Sequence, residues 1–351
     1  MVITAVTFMS SPYPFMFFRV NAGEAERHAS GLVKLYHDVY EGTYPINEIK
    51  FERLVKKMLE EDTHLWWVAV DRDRDRIASA CAGMPNHWNK TFESCRAATH
   101  PDYSGKSYRL AESLYSLCLR EIIRHRNAEM VVSYLRTKGM TDIMKFGAHP
   151  VAIVGSDLGK HIVRHRREVH LMGLLVNPLR DDIVRVEPPE GSFANYDFVR
   201  SEILRGMNFP KIVKAAYPSN ILVGPEMDDK FTFEGIMLNY GYIELSKSLE
   251  IRCMKHETSV MPEKLARAVA GLIGSFDGKA EYASLYILVD KTSYADVLMS
   301  IGFEVAAYLP GWFEMGGMRY DALKMTKRSG NEEMAYHGIK EIAEKFRKGL
   351  N

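Results

Sequence analysis

Two stretches of this chain repeat one another. A-E-M-V-V-S-Y-L, starting at Ala128, is matched by A-E-Y-A-S-L-Y-I-L from Ala280, and M-K-F-G-A-H-P-V-A-I-V from Met144 by M-S-I-G-F-E-V-A-A-Y-L from Met299. The two matches come in the same order with nearly the same spacing, which favours an internal duplication of fold over coincidence. The 351 residues fit two domains of ordinary size, roughly 100 to 200 residues each. With 46% hydrophobic and 26% charged residues the chain has the composition of a globular protein able to bury a full core. Its 46 basic residues against 45 acidic ones mean that a nucleic-acid or membrane surface would have to be a local patch.

Periodicity places the elements. Ala25, Ala29, Leu32, Val33, Leu35, Tyr36 and Val39 recur at helical spacing from Asn21 to Tyr40, and a second helix covers Phe51 to Glu60. Strands follow at Leu65 to Val70 and Arg76 to Gly83, joined by the charged turn D-R-D-R-D, and a third at Ser94 to Thr99 enters the loop H-P-D-Y-S-G-K-S. A helix from Tyr108 to His125 carries Leu110, Leu114, Leu117, Cys118, Ile122 and Ile123 on one face. The strand Glu129 to Leu135, a short helix from Thr141 to Phe146 ended by Gly147, and strands at Val151 to Val154 and His170 to Val176 close the first half. Pro178, Pro188 and Pro189 mark Asn177 to Phe209 as an exposed connection, so the expected domains are 1–187 and 188–328.

In the second half strands are expected at Asn220 to Val223, Thr232 to Leu238, Tyr242 to Leu245 and Leu249 to Met254. Then come a helix from Pro262 to Phe276, a strand at Ala283 to Val289, a short helix from Tyr294 to Ser300 ended by Gly302, and strands at Glu304 to Tyr308 and Arg319 to Met325. A final helix, Glu332 to Lys348 within 329–351, docks on its own chain or on a partner. The class is mixed α/β, or α+β.

Cys81, Cys95, Cys118 and Cys253 have no C-x-x-C spacing and sit in apolar or strand-like stretches, the pattern of buried thiols in a reduced, cytoplasmic protein. The apolar start lacks a basic segment and is interrupted by Pro12 and Pro14, which argues against a secretory signal, and no apolar run is long enough to span a membrane. His161 and His165 would share a helix face, but no carboxylate completes a ligand set, so no metal is expected.

The stretch from His100 to about Gly155 resembles the GNAT acetyltransferase family, in which a strand opens onto a Gly-rich turn and a helix, and a later short helix ends in G-F before a strand. V-Y-E-G-T-Y-P, from Val39, looks like a segment that precedes the core in one bacterial subgroup, and M-S-I-G-F-E-V looks like the family's closing motif. The resemblance implies two tandem GNAT-like domains, each a mixed, mostly antiparallel sheet flanked by helices. It also implies an acyl-CoA donor, held by Ala98 and Thr99 at the strand end and by the turn.

In the family's turn, successive backbone N–H groups at a helix N-terminus approach the pyrophosphate of coenzyme A. Here its six positions are Ser104, Gly105, Lys106, Ser107, Tyr108 and Arg109, and only Gly105 remains glycine. Either Lys106, Arg109 and the hydroxyls of Ser104 and Ser107 hold the phosphates instead, or coenzyme A is lost and the two cations line a solvated helix start. The corresponding place in the second half, H-E-T-S-V-M-P-E-K from His256, has no glycine, and no cofactor is expected there.

Acyl transfer to an amine needs a base, and Glu93 and His100, flanking the strand that enters the loop, are the candidates. Their plainer roles are a solvated strand end and a loop-capping imidazole. The family's tyrosine acid is missing, because Ile143 and Leu298 stand four residues before the closing glycines. On the strand Leu249 to Met254, regular alternation sets Glu250 and His256 on one face and Cys253 on the other, against a Cys–His pair. The basic run K-H-I-V-R-H-R-R-E-V-H offers Lys160, Arg164, Arg166 and Arg167 to phosphate, an acyl-carrier protein or RNA, or else forms a solvated hairpin. Trp312 and Phe313 suit a pocket lid or ordinary packing.

The resulting expectation is an N-acyltransferase moving an acetyl or other acyl group from acyl-CoA to a small-molecule amine, in a cleft between the halves. The alternatives are a transferase using aminoacyl-tRNA or an acyl-carrier protein, and a non-catalytic binding module.

Overall fold

A computed structural model describes residues 14–105, 107–125, 128–143, 145–255, 260–330 and 333–351. In chain order the elements are β1 (Phe15–Arg19), α1 (Ala25–Tyr40), α2 (Glu52–Glu60), β2 (Leu65–Asp71), β3 (Arg76–Asn86), β4 (Thr91–Thr99), α3 (Leu110–His125), β5 (Met130–Leu135), α4 (Lys138–Ile143), β6 (Lys145–Phe146) and β7 (His149–Pro150). There follow β8 (Ala152–Val163), β9 (Arg166–Val176), β10 (Val184–Val186), α5 (Tyr196–Phe198), β11 (Lys211–Val213), β12 (Asp229–Phe233), β13 (Ile236–Ile243) and β14 (Ser248–Lys255). The chain ends with α6 (Pro262–Gly274), β15 (Tyr282–Leu288), α7 (Thr292–Ser300), β16 (Glu304–Met315), β17 (Met318–Arg328), β18 (Met334–Ala335) and α8 (Lys340–Leu350). Among the described residues no helix is long and apolar enough to cross a membrane.

The chain divides into two compact units: residues 1–133, 139–150 and 163–165 form unit 1, and 134–138, 151–162 and 166–351 form unit 2. This division does not follow the boundary expected near Pro188. Most of β8 and β9 belongs to unit 2, where Gly155 bridges Ala307 of β16 and β18 pairs with β9. The closing helix also belongs there: Ala343, Phe346 and Leu350 of α8 are buried, and Ser156 donates to the Ala343 carbonyl at 3.2 Å.

In unit 1, β1, β2, β3 and β4 are successive antiparallel neighbours, and the start of β5 joins β4 in parallel. The run L-W-W-V-A-V-D of β2 is buried at every position because helices cover both faces. Trp66 and Val68 pack with Leu32, Leu35 and Tyr36 of α1 and Val55 and Leu59 of α2. Trp67, on the opposite face by strand alternation, donates its indole N–H to Glu121 of α3 at 2.7 Å. Strand, turn, helix, parallel strand and short helix then succeed one another in the GNAT-like order implied by the sequence.

Unit 2 repeats that order. Its strands run β9-β8-β16-β17-β15-β14-β13-β12, mostly antiparallel, with β14 and β15 parallel and α6 crossing between them. The expected strand from Thr232 to Leu238 is broken in two by the turn of the β12–β13 hairpin, because Glu234 (φ 46°) and Gly235 (φ 81°) reverse the chain between Phe233 and Ile236. The region 177–209 is not a plain exposed connection either. Val186 of β10, which pairs in parallel with β11, is buried, and so are Val199 and Ile203 in the helical turns after α5. Prolines punctuate this region, but its apolar residues still enter the core of unit 2.

Two buried ion pairs hold that core. Asp321 accepts from Arg185 Nε at 2.8 Å and Nη2 at 2.5 Å, from Tyr308 Oη at 2.6 Å and from the Gly311 N–H at 2.8 Å. Asp157 pairs with the Lys324 ammonium and accepts from Tyr282 Oη at 2.7 Å. Burial would raise the Asp157 carboxyl, but Lys324 and the hydrogen bonds from Lys324 and Tyr282 outweigh it and hold the group below the ordinary carboxylate range. Removing one member of such a pair leaves a buried charge unmatched. Arg185→Met is therefore expected to cost about 3–5 kcal/mol in urea unfolding, with much of the loss recovered in Arg185→Met/Asp321→Asn. Equal losses in the single and double variants would contradict this account.

Candidate functional site

β4 pairs with β5 at Thr91–Ser94 against Met130–Ser133. Beyond Ser94, among the described residues, it pairs only with β3. The register to β3 shifts by one residue between Cys95 and Ala98, and Arg96 sits there in the left-handed region at φ 55°. This is a β-bulge, which bends a strand and re-aims the side chains beyond it. The surroundings hold it. Tyr36 of α1 donates its hydroxyl to the Arg96 carbonyl, the Arg96 guanidinium lies 5.7 Å over the Trp66 ring, and its Nη1 is 3.3 Å from Met58 Sδ. One edge of β4 is thus open on its way into the loop that precedes α3.

That loop is pinned from below by residues that no sequence motif singles out. Tyr103 donates to Asp71, accepts from Arg76 Nε at 3.0 Å, and lies under the Arg76 guanidinium at 5.0 Å; Arg76 also pairs with Asp102. Burial raises the Asp71 carboxyl, but the Tyr103 hydroxyl and the N–H groups of Asp73 and Arg74 overcome it and hold the group low. Asp71 and Tyr103 are brought together only by the register of β2 on β3 and by the loop's return, so their partnership has no local signature.

The sequence-derived donor residues take different roles. Ala98 is buried, and its carbonyl accepts from Ser79 Oγ at 2.8 Å; Thr99 Oγ1 lies 2.9 Å from the same hydroxyl. Ser104 is exposed, but its N–H is taken by the carbonyls of His100 and Pro101 at 3.1 and 3.2 Å. Gly105, at φ 71°, and Ser107 are exposed, and among the described residues neither gives its N–H to a backbone carbonyl. Lys106 lies outside the described residues. Tyr108 turns inward against Phe15 at 5.0 Å, so its ring serves packing. Arg109, at φ 52°, ends the turn, and its Nη2 donates to Glu112 at 2.6 Å at an exposed position.

His100 caps the loop. Its Nδ1 accepts from the Asp102 N–H at 3.1 Å, which leaves the proton of a neutral ring on Nε2, 3.4 Å from Asp38. With both nitrogens so engaged it has no lone pair to offer as a base. Glu93 is half-buried on β4, opposite Met84 on one side and Val132 on the other. Alternation puts it on the face of Cys95, toward an aromatic cluster built by V-Y-E-G-T-Y-P: Tyr44 lies 4.8 Å from Tyr36 and 4.7 Å from Tyr40. Burial, Tyr40, Cys95 and Glu93 together push the Tyr44 phenol up, against the pull of Arg96. A depression of about 360 Å³, lined by Pro85, Asn86, Lys90 and Thr91, opens at the other end of β4 from the loop.

The basic run forms a hairpin whose turn, Arg164 (φ 48°) and His165 (φ 63°), is exposed. Its cations are already engaged. Lys160 pairs with Glu250 at 2.5 Å, Arg166 with Glu333 at 3.6 Å, and fully buried Arg167 with Glu281 at 2.7 Å. Arg164 donates to the Val39 carbonyl at 2.5 Å and takes Thr43 Oγ1 on its N–H at 2.9 Å. Trp312 is buried and stacked on Tyr286 at 5.3 Å, so it packs rather than closes a lid. In the second half His256 lies outside the described residues, as does the Cys253 side chain; an extra residue at Arg252 in β14 interrupts the regular alternation assumed for that strand.

No protein-family model matches the chain, and no curated protein sequence matches it. Solved structures do overlap it. Ribosomal-protein-S5-alanine acetyltransferase from Vibrio fischeri covers 48% of this chain with 96% of its own, at 10% identity and a TM-score of 0.38. Spermidine N-acetyltransferase from Vibrio cholerae in complex with CoA and spermine covers 47% with 96% of its own, at 11% identity and a TM-score of 0.35. Likenesses of that degree carry no weight for activity, which rests below on the geometry of β4 and its loop.

Beside this strand His64 is buried against Trp66 at 6.3 Å, with Thr63 Oγ1 3.0 Å from Nδ1. Burial first, and the Arg96 guanidinium second, push it down to about 3. Below the ordinary histidine value of about 6.5 the unfolded chain takes up a proton that the folded chain refuses. Stability is therefore unaffected above that value and falls as the pH drops toward 3, by up to about 1.4 kcal/mol per pH unit from this residue. His64→Gln is expected to flatten the fall between pH 6 and 4 in chemical denaturation; an unchanged slope would contradict the assignment.

Proposed function

We propose that the chain is an N-acyltransferase in which unit 1 binds an acyl-CoA donor and passes its acyl group to a small-molecule amine. The observation that carries this reading is the open edge of β4 running into the turn before α3, where Gly105 and Ser107 are exposed. The pantetheine arm of coenzyme A contains amides, which can add to an open strand edge as a further strand would. Its pyrophosphate suits the N–H groups of Gly105 and Ser107 and the positive end of the α3 dipole. The Ser107 hydroxyl adds a donor. Arg109 gives up little by leaving Glu112, since an exposed ion pair of this kind is worth about 0–1 kcal/mol.

Glu93, on the same strand, is the base. Directly or through one water it takes a proton from the acceptor's ammonium. The freed amine nitrogen attacks the thioester carbonyl, a C–N bond forms, the C–S bond breaks, and a second proton of the attacking nitrogen passes to the departing sulfur, which leaves as the thiol of coenzyme A. Glu93 is half-buried beside the Tyr44 phenol, on the strand that enters the loop, where it can meet the acceptor's ammonium. Free Cys81, Cys95 and Cys118 support a reducing, cytoplasmic setting. The ion pairs of Lys160 with Glu250 and of buried Arg167 with Glu281 take up two cations of the basic run, which counts against a carrier protein or RNA as partner.

A ligand that binds only the folded state raises its melting temperature, adding about 2.7 kcal/mol at a hundredfold excess over Kd. Coenzyme A and acetyl-CoA are expected to shift the melting curve, and Arg109→Glu to weaken the shift; no shift at millimolar ligand would sink the proposal. Glu93→Gln should keep the shift while lowering kcat about 10²- to 10⁴-fold in an amine screen. Full activity in that variant would remove Glu93 from its role.

A further inference from the structure

In unit 2 the parallel pair β14 and β15 parts in the same way as β4 and β5. Hydrogen bonding joins Ser248, Leu249 and Glu250 to Tyr282, Ala283 and Ser284 and then stops, although β14 continues to Lys255 and β15 to Leu288. The far edges stay paired, β14 with β13 and β15 with β17 throughout. A parted pair of strands leaves two facing rows of backbone donors and acceptors, an opening suited to an extended chain that carries amides.

A segment of unit 2 itself occupies that opening. Leu222 forms an antiparallel bridge with Ile287, the Val223 N–H donates to the Tyr286 carbonyl at 3.0 Å, and the Leu288 N–H donates to the Ile221 carbonyl at 3.2 Å. Ile221, Leu222 and Val223 are all buried. On the other side Gly224 lies so close to β14 that a Cβ there would come within 2.5 Å of the Arg252 carbonyl oxygen. The segment is tied at its start as well: Tyr217 Oη accepts from the Asp321 N–H at 3.2 Å, and Lys291 Nζ donates to the Pro218 carbonyl at 2.9 Å.

We infer that Ile221–Gly224 is a built-in strand that seals the second opening, so that the chain has one donor site, on unit 1, and none on unit 2. The seal stands on the hydrogen bonds above; the count of one rests on the donor reading of unit 1. In unit 1, among the described residues, the edge of β4 beyond Ser94 pairs with no further segment. The duplicated fold therefore keeps one opening free and fills its copy with chain.

Hydrogen exchange of the full chain, resolved to single amides, tests the seal without any ligand. Val223 and Leu288 are expected to exchange at least about 100-fold more slowly than free peptide, in step with the central amides of β15. In Gly224→Ala these two should lose protection while the β13–β14 amides keep theirs. Free exchange of Val223 and Leu288 in the unaltered protein overturns the inference, and that result does not depend on the variant folding. Calorimetric titration with coenzyme A should give one site per chain; two sites would overturn it even if the amides are protected. If coenzyme A does not bind at all, the donor reading of unit 1 fails, and the exchange result alone decides whether the segment is a seal.

Discussion

Arg96 bends β4 away from β5, and the arrangement of unit 1 depends on that bend. A left-handed backbone is unfavourable for an arginine and persists only where its neighbours over-determine it. Here the Tyr36 hydroxyl holds the carbonyl, Trp66 lies under the guanidinium and Met58 meets one of its nitrogens. Those three residues come from α1, β2 and α2, so the packing of both helices on the sheet is what fixes the kink. Downstream of it the strand edge is open, the loop from His100 to Arg109 is anchored through Tyr103 to Asp71 and Arg76, and the turn before α3 carries exposed Gly105 and Ser107.

The second unit shows what the same topology does when its opening is filled. β14 carries an extra residue at Arg252, as β4 does at Arg96, and each strand separates from its parallel partner after a short ladder. In unit 2 the groups so exposed on β15 at Tyr286 and Leu288 are met by Ile221–Val223. Buried backbone polar groups are almost always paired, so an opening of this kind is either filled by chain, met by water, or kept for a ligand. The same topology occurs in both units, and the buried Asp321 cluster, through Tyr217, helps to hold the segment that lies in the opening of unit 2.

Much of this was legible in the chain. The repeats at Ala128 and Ala280 announced the duplicated strand, short helix, glycine and strand, and the apolar spacing of α1 and α3 gave their buried faces. The expected basic hairpin formed, but Lys160 and Arg167 are paired with Glu250 and Glu281, partners too distant in sequence to be matched to them from the run itself. The turn at Glu234–Gly235 was missed because the run from Thr232 to Leu238 reads as one strand when its polar pair is taken as alternation. The site was less legible than the fold. Of the loop's six motif positions, Tyr108 packs against Phe15 and Arg109, expected at the phosphates, pairs with Glu112, and neither the bulge at Arg96 nor the Asp71 to Tyr103 anchor leaves a local sequence signal.

We propose that coenzyme A lies along β4 and the loop of unit 1. Comparing amide hydrogen exchange with and without coenzyme A maps that contact directly. The claim predicts slower exchange on addition of coenzyme A at Cys95–Thr99 and at Gly105 and Ser107, with no change along β14 and β15. Protection confined to β14 and β15, or binding with no change at β4 and its loop, would contradict it.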